Sequence, residues 1–183
     1  MNSIVGNLLI APPAVKGTFW HKSVIMITED HNHGSIGLVL NKRSTLTIEE
    51  FGQQLGIPLN ISGYVYQGGP LNPQGLSFIH SNEWRSSNTL RLNDNFSLSS
   101  DKEILPRFSI GDTPRRWRMF LGISGWAPGQ LSAELTGTPP WKKETSWCTV
   151  NSNPELVFET DQKEQWCNAL DRSGLEFAQT LLS

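Results

Sequence analysis

A glycine-rich stretch between an apolar run and a helical pattern is the part of the sequence best suited to bind a ligand. Gly122, Gly125 and Gly129 let the backbone turn sharply and leave N–H groups bare near a predicted helix N-terminus. Bare N–H groups in that position are donors for an anion or a carbonyl oxygen. The stretch therefore predicts a polar site, and the alternative is a tight turn that binds nothing.

Two catalytic motifs share this strand–glycine–helix layout, and the stretch matches neither. A phosphate-binding loop needs Lys and then Ser or Thr after its last glycine, but Gly129 is followed by Gln130. A nucleophile elbow reads G-x-S-x-G, but Trp126 stands where Ser124 needs the second glycine. No histidine follows His80 to complete a triad. These omissions favour binding over catalysis.

Asn41, Gly68 and Gly69 follow other predicted strands, and their chemistry is similar to that of the glycine-rich stretch. Asn41 and Gln130 each carry amide donors and a carbonyl acceptor, which orient a polar or anionic group. Loops at strand ends are carried by a rigid scaffold. We therefore expect Asn41, the turn at 68–70 and the loop at 125–130 to meet on one side of the domain. The candidate site residues are Asn41, Gly68, Gly69, Pro70, His80, Gly125, Trp126, Gly129, Gln130 and Glu134.

The same residues admit a second interpretation, a small enzyme of hydrolase or transferase type. In it Asn41, His80, Gln130 and Glu134 surround the glycine loops, with His80 or Glu134 as acid or base. This interpretation requires all four side chains to point into one pocket. Because the nucleophile, base and metal sets are each incomplete, the favoured hypothesis is a non-catalytic regulatory domain that binds a small ligand or a protein partner.

A histidine-containing turn has the residue types of a metal site without enough ligands. Asp30, His31 and His33 are close in sequence, and residues two apart share a face of a strand. A metal site needs a third or fourth ligand at useful spacing, and none is visible. Asn32 and Gly34 indicate a hairpin turn. We therefore expect no metal and no cofactor.

The only basic cluster that includes an aromatic residue is Arg115, Arg116, Trp117 and Arg118, which could contact phosphate or stack on a base. The whole chain has a net charge of −2 and a pI near 6.1. It has no helix-turn-helix signature. Direct DNA binding is therefore not expected.

Tryptophans and cysteines each have a structural explanation. Trp126, Trp147 and Trp166 could form a ligand cage, but three core anchors explain them more simply. Cys148 and Cys167 lack C-x-x-C spacing. Both thiols are expected to be reduced, with Cys148 as a packing residue.

The bulk composition predicts one cytoplasmic domain. A chain of 183 residues, 37% apolar and 17% charged, has the usual size of a single domain, here 1–183. The first apolar run, Leu8–Ala11, is short and follows no basic residue, so it predicts neither a signal peptide nor a membrane span.

Apolar runs and turn residues predict the elements of an α+β fold. Val24–Thr28 and Ser35–Leu40 form a hairpin across residues 29–34, and Tyr64–Gln67 with Leu76–His80 form another. A capping box at Thr47 starts a helix. Further elements are strands at 8–11, 89–92, 96–98, 117–123, 147–150 and 156–158, a helix from Pro128, and a last helix from Asp161. Because hairpin and helix connections mix, the sheet should be mixed and mainly antiparallel, in a single compact domain.

Several segments also match a known pattern: LLIAPPA at 8–14, SVIMITE at 23–29, GSIGLVLNK at 34–42, GGP at 68–70, GISGWAPGQLSAE at 122–134 and LVF at 156–158. With them the chain resembles the bacterial YqgE- and AlgH-like proteins over nearly its whole length. The resemblance implies an α+β domain whose sheet curves into a bifurcated pseudo-barrel with flanking helices. It also carries that family's label of transcriptional regulator.

Overall fold

Ten strands and four α-helices form in residues 3–182, the part of the chain that the computed structural model describes. The strands are β1 (Leu8–Ile10), β2 (Val24–His31), β3 (Gly34–Val39), β4 (Arg43–Thr47), β5 (Tyr64–Gln67), β6 (Leu71–Ser81), β7 (Leu90–Arg91), β8 (Phe96–Ser99), β9 (Trp117–Trp126) and β10 (Cys148–Val150). The helices are α1 (Ile48–Gln54), α2 (Ile104–Ser109), α3 (Gln130–Thr136) and α4 (Gln162–Leu182). No helix in this range is both long and apolar enough to cross a membrane.

Strand β9 is the branch point of the sheet. One edge pairs with β6 along most of its length. The other edge is divided, because Phe120 and Leu121 pair with β5 in parallel while residues 124–126 pair with β3 antiparallel. The sheet continues from β3 through β2 and β1 to β10, and from β6 through β8 to β7, while β4 flanks β5. The predicted α+β class with a bifurcated, mainly antiparallel sheet is confirmed.

The first half of the sheet is buried on both faces. Leu8, Ile10 and Met26 belong to one apolar cluster, which α4 covers, and Leu9 and Ile25 belong to another beside α3. Side chains alternate between the two faces of a strand, so a strand covered on both sides needs apolar residues at every position. This explains the unbroken apolar runs of β1 and β2. A third cluster lies between the sheet and helices α1 and α2.

The predicted start of α1 is correct in detail. The Thr47 hydroxyl accepts from the Glu50 N–H at 3.1 Å, and the Glu50 carboxylate accepts from the Thr47 N–H at 2.9 Å. Both bonds of a capping box are therefore present. The first hairpin is also present, but β2 runs to His31, so only Asn32 and His33 connect it to β3.

Strand β9 continues beyond its predicted end at Ile123. Gly122 has a φ of +79°, a conformation that glycine adopts at little cost and that permits a local irregularity. Ser124 and Gly125 then pair with β3 and carry the strand to Trp126. The small residues were interpreted as a strand end, but the tertiary pairing with β3 satisfies their backbone groups.

Two other element predictions are wrong. Strand β5 does not form a hairpin with β6; it lies between β4 and β9, and β6 pairs with β8 and β9. Leu156–Phe158 lies in a π-helical turn, Glu155–Glu159, instead of a strand. In each case a short apolar segment suits more than one conformation, and its packing partners decide.

Candidate functional site

Four predicted site residues line one small pocket of about 270 Å³. They are Gly125, Trp126, Gln130 and Glu134. The segment between β1 and β2 and the segment after α3 complete the lining with Val15, Trp20, Trp141, Thr145 and Trp147. We call this cavity the tryptophan pocket.

A tight turn between β9 and α3 places the pocket's polar side chains. Gly129 has φ +75° and ψ −10°, and the Gln130 N–H donates to the Ala127 carbonyl at 3.0 Å. These values describe a type II turn with Pro128 at its second position, so Pro128 precedes α3 instead of starting it. Helix α3 begins at Gln130. Gln130 and Glu134 are four residues apart and therefore share one face of the helix.

The carboxylate of Glu134 is the centre of a hydrogen-bond network. Its Oε2 accepts from Nε1 of Trp126 at 3.0 Å and from Nε1 of Trp147 at 2.7 Å. Its Oε1 accepts from Nε2 of Gln130 at 2.8 Å, and Gln130 Oε1 accepts from the Ala127 N–H at 2.9 Å. All three donors to the carboxylate are neutral. The charge of Glu134 is thus held in place without being neutralised.

No lysine or arginine forms an ion pair with Glu134 within residues 3–182. Glu134 is also the one charged residue in the pocket lining. The neighbouring Lys16 and Lys142 are exposed side chains. The interior of the tryptophan pocket therefore carries one negative charge.

Three indole rings form the wall of the pocket. Trp20 stacks on Trp126 with centroids 6.3 Å apart and meets Trp147 edge-on at 6.1 Å, and Trp126 and Trp147 are 6.4 Å apart. These separations lie within the range at which aromatic rings attract one another. Trp126 is buried, while Trp20 and Trp147 are partly exposed. The wall is therefore packed on its inner side and accessible on its outer side.

Asn41 uses its side chain for structure. Its Oδ1 accepts from the Val24 N–H at 3.0 Å, and its Nδ2 donates to the Lys22 carbonyl at 2.8 Å. Both ends of the amide are thus occupied in holding the turn before β2. Asn41 does not line the tryptophan pocket.

The Gly68–Pro70 segment lies at the branch of the sheet. The Gly68 carbonyl accepts from the Val39 N–H at 2.9 Å and from the Ser124 hydroxyl at 3.0 Å. A Cβ on Gly69 would overlap the carbonyl group of Ile123. Gly68 and Gly69 are buried and Pro70 is exposed. These glycines allow two backbones to touch, and none of the three residues lines the tryptophan pocket.

His80 is sealed in the interior on β6. Its Nδ1 lies 2.9 Å from the Ser81 carbonyl and its Nε2 lies 2.9 Å from the Ser99 hydroxyl. A carbonyl only accepts, so Nδ1 carries the proton and Nε2 accepts from Ser99. Burial lowers the pKa of His80, although the Ser81 carbonyl and Glu83 act in the opposite direction. His80 is thus a neutral core residue, outside the tryptophan pocket.

Gly129 lines a different, open depression. That depression has a volume of about 650 Å³ and includes Asp30 and His31 from the β2–β3 hairpin. The Asp30 carboxylate accepts from the Ser35 hydroxyl at 2.6 Å. Within residues 3–182 no three His, Cys, Asp or Glu side chains are grouped so that they could hold a metal ion.

The arginine cluster is divided between the interior and the surface. Arg118 is buried, donates to the Leu40 carbonyl at 2.8 Å, and lies over the Tyr66 ring at 4.5 Å. Burial lowers the pKa of the Arg118 guanidinium. Arg116 is exposed and pairs with Glu159 at 2.9 Å. Because Arg118 is buried while Arg115 and Arg116 are exposed in the segment before β9, the three arginines do not form one basic face.

The remaining tryptophan and the cysteines lie elsewhere. Trp166 donates from Nε1 to the Ala11 carbonyl at 2.8 Å, away from the other members of the predicted cage. Cys148 and Cys167 are both free thiols, and Cys167 is exposed. Burial raises the pKa of the Cys148 thiol, while a hydrogen bond with Ser173 acts in the opposite direction.

The sequence-based interpretation missed Trp20, Trp141 and Thr145 as lining residues. Trp20 and Trp141 lie in irregular segments between strands, where no apolar periodicity explains a large ring. A large aromatic side chain in a polar, proline-containing loop is a usable signal, since it has to pack on something. Nothing in the sequence indicated Thr145 as a lining residue.

Comparisons with known proteins agree with this architecture. A UPF0301 protein of Idiomarina loihiensis is 32% identical over 183 residues, covering 96% of this chain and 94% of the relative. A UPF0301 protein of Nitrosospira multiformis is 32% identical over 178 residues, covering 94% and 91%. The solution structure of the AlgH protein from Pseudomonas aeruginosa matches with a TM-score of 0.76 at 24% identity, over 100% of this chain and 95% of that chain.

A crystal structure of a Corynebacterium diphtheriae protein also matches, with a TM-score of 0.74 at 22% identity, over 94% of this chain and 88% of that one. At these identities the two structures support the fold alone. The family model described as AlgH-like matches residues 8–178. Because that match spans nearly the whole chain and relatives above 30% identity span it too, this protein belongs to the AlgH-like family.

Proposed function

We propose that this protein is a non-catalytic regulatory domain that binds a small ligand, or one side chain of a protein partner, in the tryptophan pocket. The observation that carries the proposal is the convergence of three side-chain donors on Glu134, in a pocket whose lining Val15 and Trp20 complete from a distant segment. Trp126, Gln130 and Trp147 all donate to that one carboxylate. Such a small set of placed polar groups in an aromatic lining is typical of ligand sites.

The enzyme interpretation lacks the arrangement that it requires. Gln130 and Glu134 share the pocket, but His80 is enclosed by Ser81 and Ser99, and Asn41 bridges Lys22 and Val24. An acid or base has to come within hydrogen-bond reach of the reacting group. The four residues are not positioned around a common substrate, so binding is the function that the geometry favours.

A ligand screen with a matched pair of variants tests the proposal. The thermal unfolding of the protein is measured with a panel of small amines, alcohols, carboxylates and phosphate esters. A compound that binds only the folded state, present at 100 times its Kd, stabilises it by about 2.7 kcal/mol. We expect at least one compound to raise the Tm of the wild type.

Gln130→Ala removes the amide that supports Glu134, and Gln179→Ala makes the same change at an exposed position of α4. We expect Gln130→Ala to lower stability by only about 1 kcal/mol or less, as surface changes do, yet to abolish the ligand-induced rise in Tm. Gln179→Ala should respond like the wild type. The proposal is wrong if no compound stabilises the wild type, or if both variants respond alike.

A further inference from the structure

We propose that the ligand of the tryptophan pocket is a small organic amine in its ammonium form, bound with an N–H group donating to Glu134. This inference rests on the proposed binding function and names the chemical class of its ligand. It follows from which hydrogen-bonding groups of the pocket are used, from the pocket's charge, from its aromatic wall and from its size.

The hydrogen bonds around Glu134 leave an acceptor open. A carboxylate has about four lone-pair sites, and Glu134 receives two bonds at Oε2 and one at Oε1. One site on Oε1 is therefore available to a further donor. The N–H groups of Trp126 and Trp147 and one of the two N–H groups of the Gln130 amide already donate to the carboxylate. The group missing from this network is a donor.

The charge of the pocket selects a cation among possible donors. Glu134 has no ion-pair partner in the described part of the chain, and no other lining residue is charged. An ammonium group would supply the missing opposite charge, and charge-assisted N–H···O bonds are about twice as strong as neutral ones. A phosphate or carboxylate would meet an uncompensated negative charge in a partly buried site, where such repulsion is weakly screened.

The aromatic wall favours the same class of ligand. A cation within about 6 Å of an indole face is attracted to the ring, and more strongly when it is desolvated. Trp20, Trp126, Trp141 and Trp147 all line the pocket beside Glu134. The indole N–H groups of Trp20 and Trp141 make no hydrogen bond to atoms in residues 3–182. A neutral alcohol could use those two donors, so a neutral analogue is a necessary control.

The volume of the pocket sets the size of the ligand. At about 270 Å³ it is smaller than the roughly 300–1,000 Å³ sites that hold drug-sized molecules. An aminoalkyl group of a few carbons fits this space, and a nucleotide does not. The ammonium group could belong to a free amine or to a lysine side chain, and the chemistry at Glu134 is the same in both.

The test uses four probes with similar alkyl groups. Binding of n-butylammonium, 1-butanol, butyrate and Nα-acetyl-lysine methylamide is measured by isothermal titration calorimetry. The indole N–H signals of Trp126 and Trp147 are followed by NMR, with Trp166 as the internal reference. We expect n-butylammonium to bind at least tenfold more tightly than 1-butanol and to shift the signals of Trp126 and Trp147, while the signal of Trp166 stays unchanged. Butyrate should not bind. Binding of the lysine derivative as well would indicate a partner's side chain, and its failure to bind would indicate a free amine.

Two variants change the charge of the tryptophan pocket, one by removing the negative charge and the other by adding a positive one. Glu134→Gln keeps an oxygen acceptor for the indole N–H groups and removes the charge. Thr145→Lys adds a cation to the lining and leaves the Glu134 network intact, so it remains informative if Glu134→Gln folds poorly. Each should weaken n-butylammonium binding at least tenfold. Thr45→Lys, the same change at an exposed position of β4, should have no effect.

The outcomes separate this inference from the proposed function. If 1-butanol or butyrate binds as tightly as n-butylammonium, or if neither charge variant weakens the amine, the amine assignment is wrong. The binding function then stands as long as some compound of the wider screen depends on Gln130. If no compound of either set binds, the binding function fails and the amine assignment fails with it.

Discussion

Glu134 and His80, two ionisable residues that the sequence predicted for the site, have opposite surroundings in the structure. Glu134 is partly exposed at a pocket and keeps a free acceptor site, whereas both nitrogens of His80 are occupied in the core. A residue whose hydrogen-bonding groups are all satisfied inside the protein has nothing left for a ligand. Residue type alone made His80 and Glu134 alternative candidates for an acid or base, and the surroundings of His80 make it a structural residue.

The burial of His80 predicts that acid destabilises the fold. Its folded-state pKa lies below the ordinary 6.5, so the neutral ring contributes stability that is fully present above pH 6.5. That contribution is lost as the pH falls from there towards the folded-state pKa, because the unfolded chain binds the proton first. His80→Asn should therefore weaken the pH dependence of the free energy of unfolding below pH 6.5, measured by urea denaturation.

His80→Asn should also lower stability at neutral pH by about 1–3 kcal/mol, because it disturbs buried hydrogen bonds. His33→Asn, at an exposed position, serves as the control and should retain the wild-type pH dependence below pH 6.5. A His80→Asn variant with the full wild-type pH dependence would show that His80 is not the group responsible.

At the level of elements, β9 connects the sheet to the pocket. The strand pairs with β6, β5 and β3, and its last residue, Trp126, leads through a four-residue turn into α3. The glycines at the branch permit this crowding, since Gly69 touches the Ile123 backbone. Glycines that looked like parts of a ligand loop therefore serve the close approach of two backbones, which is the other common reason for glycine in a strand.

The two roles of glycine give a paired prediction for stability. Gly69→Ala forces a methyl group into the Ile123 carbonyl and should cost about 1–3 kcal/mol or more, the usual cost of overpacking. Gly174→Ala lies on α4 with nothing within 4 Å of its added methyl, and should stabilise the protein by about 0.5–1 kcal/mol. Denaturation midpoints of the two variants provide the measurement. Equal effects of the two changes would contradict the packing role of Gly69.

At the level of the whole molecule, the charge distribution bears on whether the protein binds a phosphate backbone. The net charge is −2, and the one basic cluster of the sequence is dispersed by the fold. Arg118 is buried and Arg116 is paired with Glu159. Nucleic-acid binding depends on several exposed cations that together displace counterions.

We therefore predict that the protein has no sequence-specific DNA affinity of its own. Specific binders reach a Kd of about 10⁻⁸ M or tighter at physiological salt. Footprinting with nanomolar protein, at about 0.15 M salt, should show no protected site. A footprint that disappears when Arg115 and Arg116 are changed to alanine would contradict the prediction.

The sequence by itself determined the local structure that depends on neighbouring residues. The capping box at Thr47, the first hairpin and the α+β class follow from side-chain hydrogen bonds and apolar periodicity within a few residues. The sequence also predicted site residues in the segment 122–134, and four of them line the tryptophan pocket.

Only the tertiary structure decided which segments meet. Ser124 and Gly125 are strand residues because β3 lies beside them, and Trp20 joins the pocket at Glu134 from the distant segment between β1 and β2. The physical reason is that backbone groups and large aromatic rings need partners, and the sequence does not state which distant segment supplies them. The aromatic wall that Trp20 completes is therefore a product of long-range packing, whereas the hydrogen bonds at Glu134 join residues of one short stretch of chain.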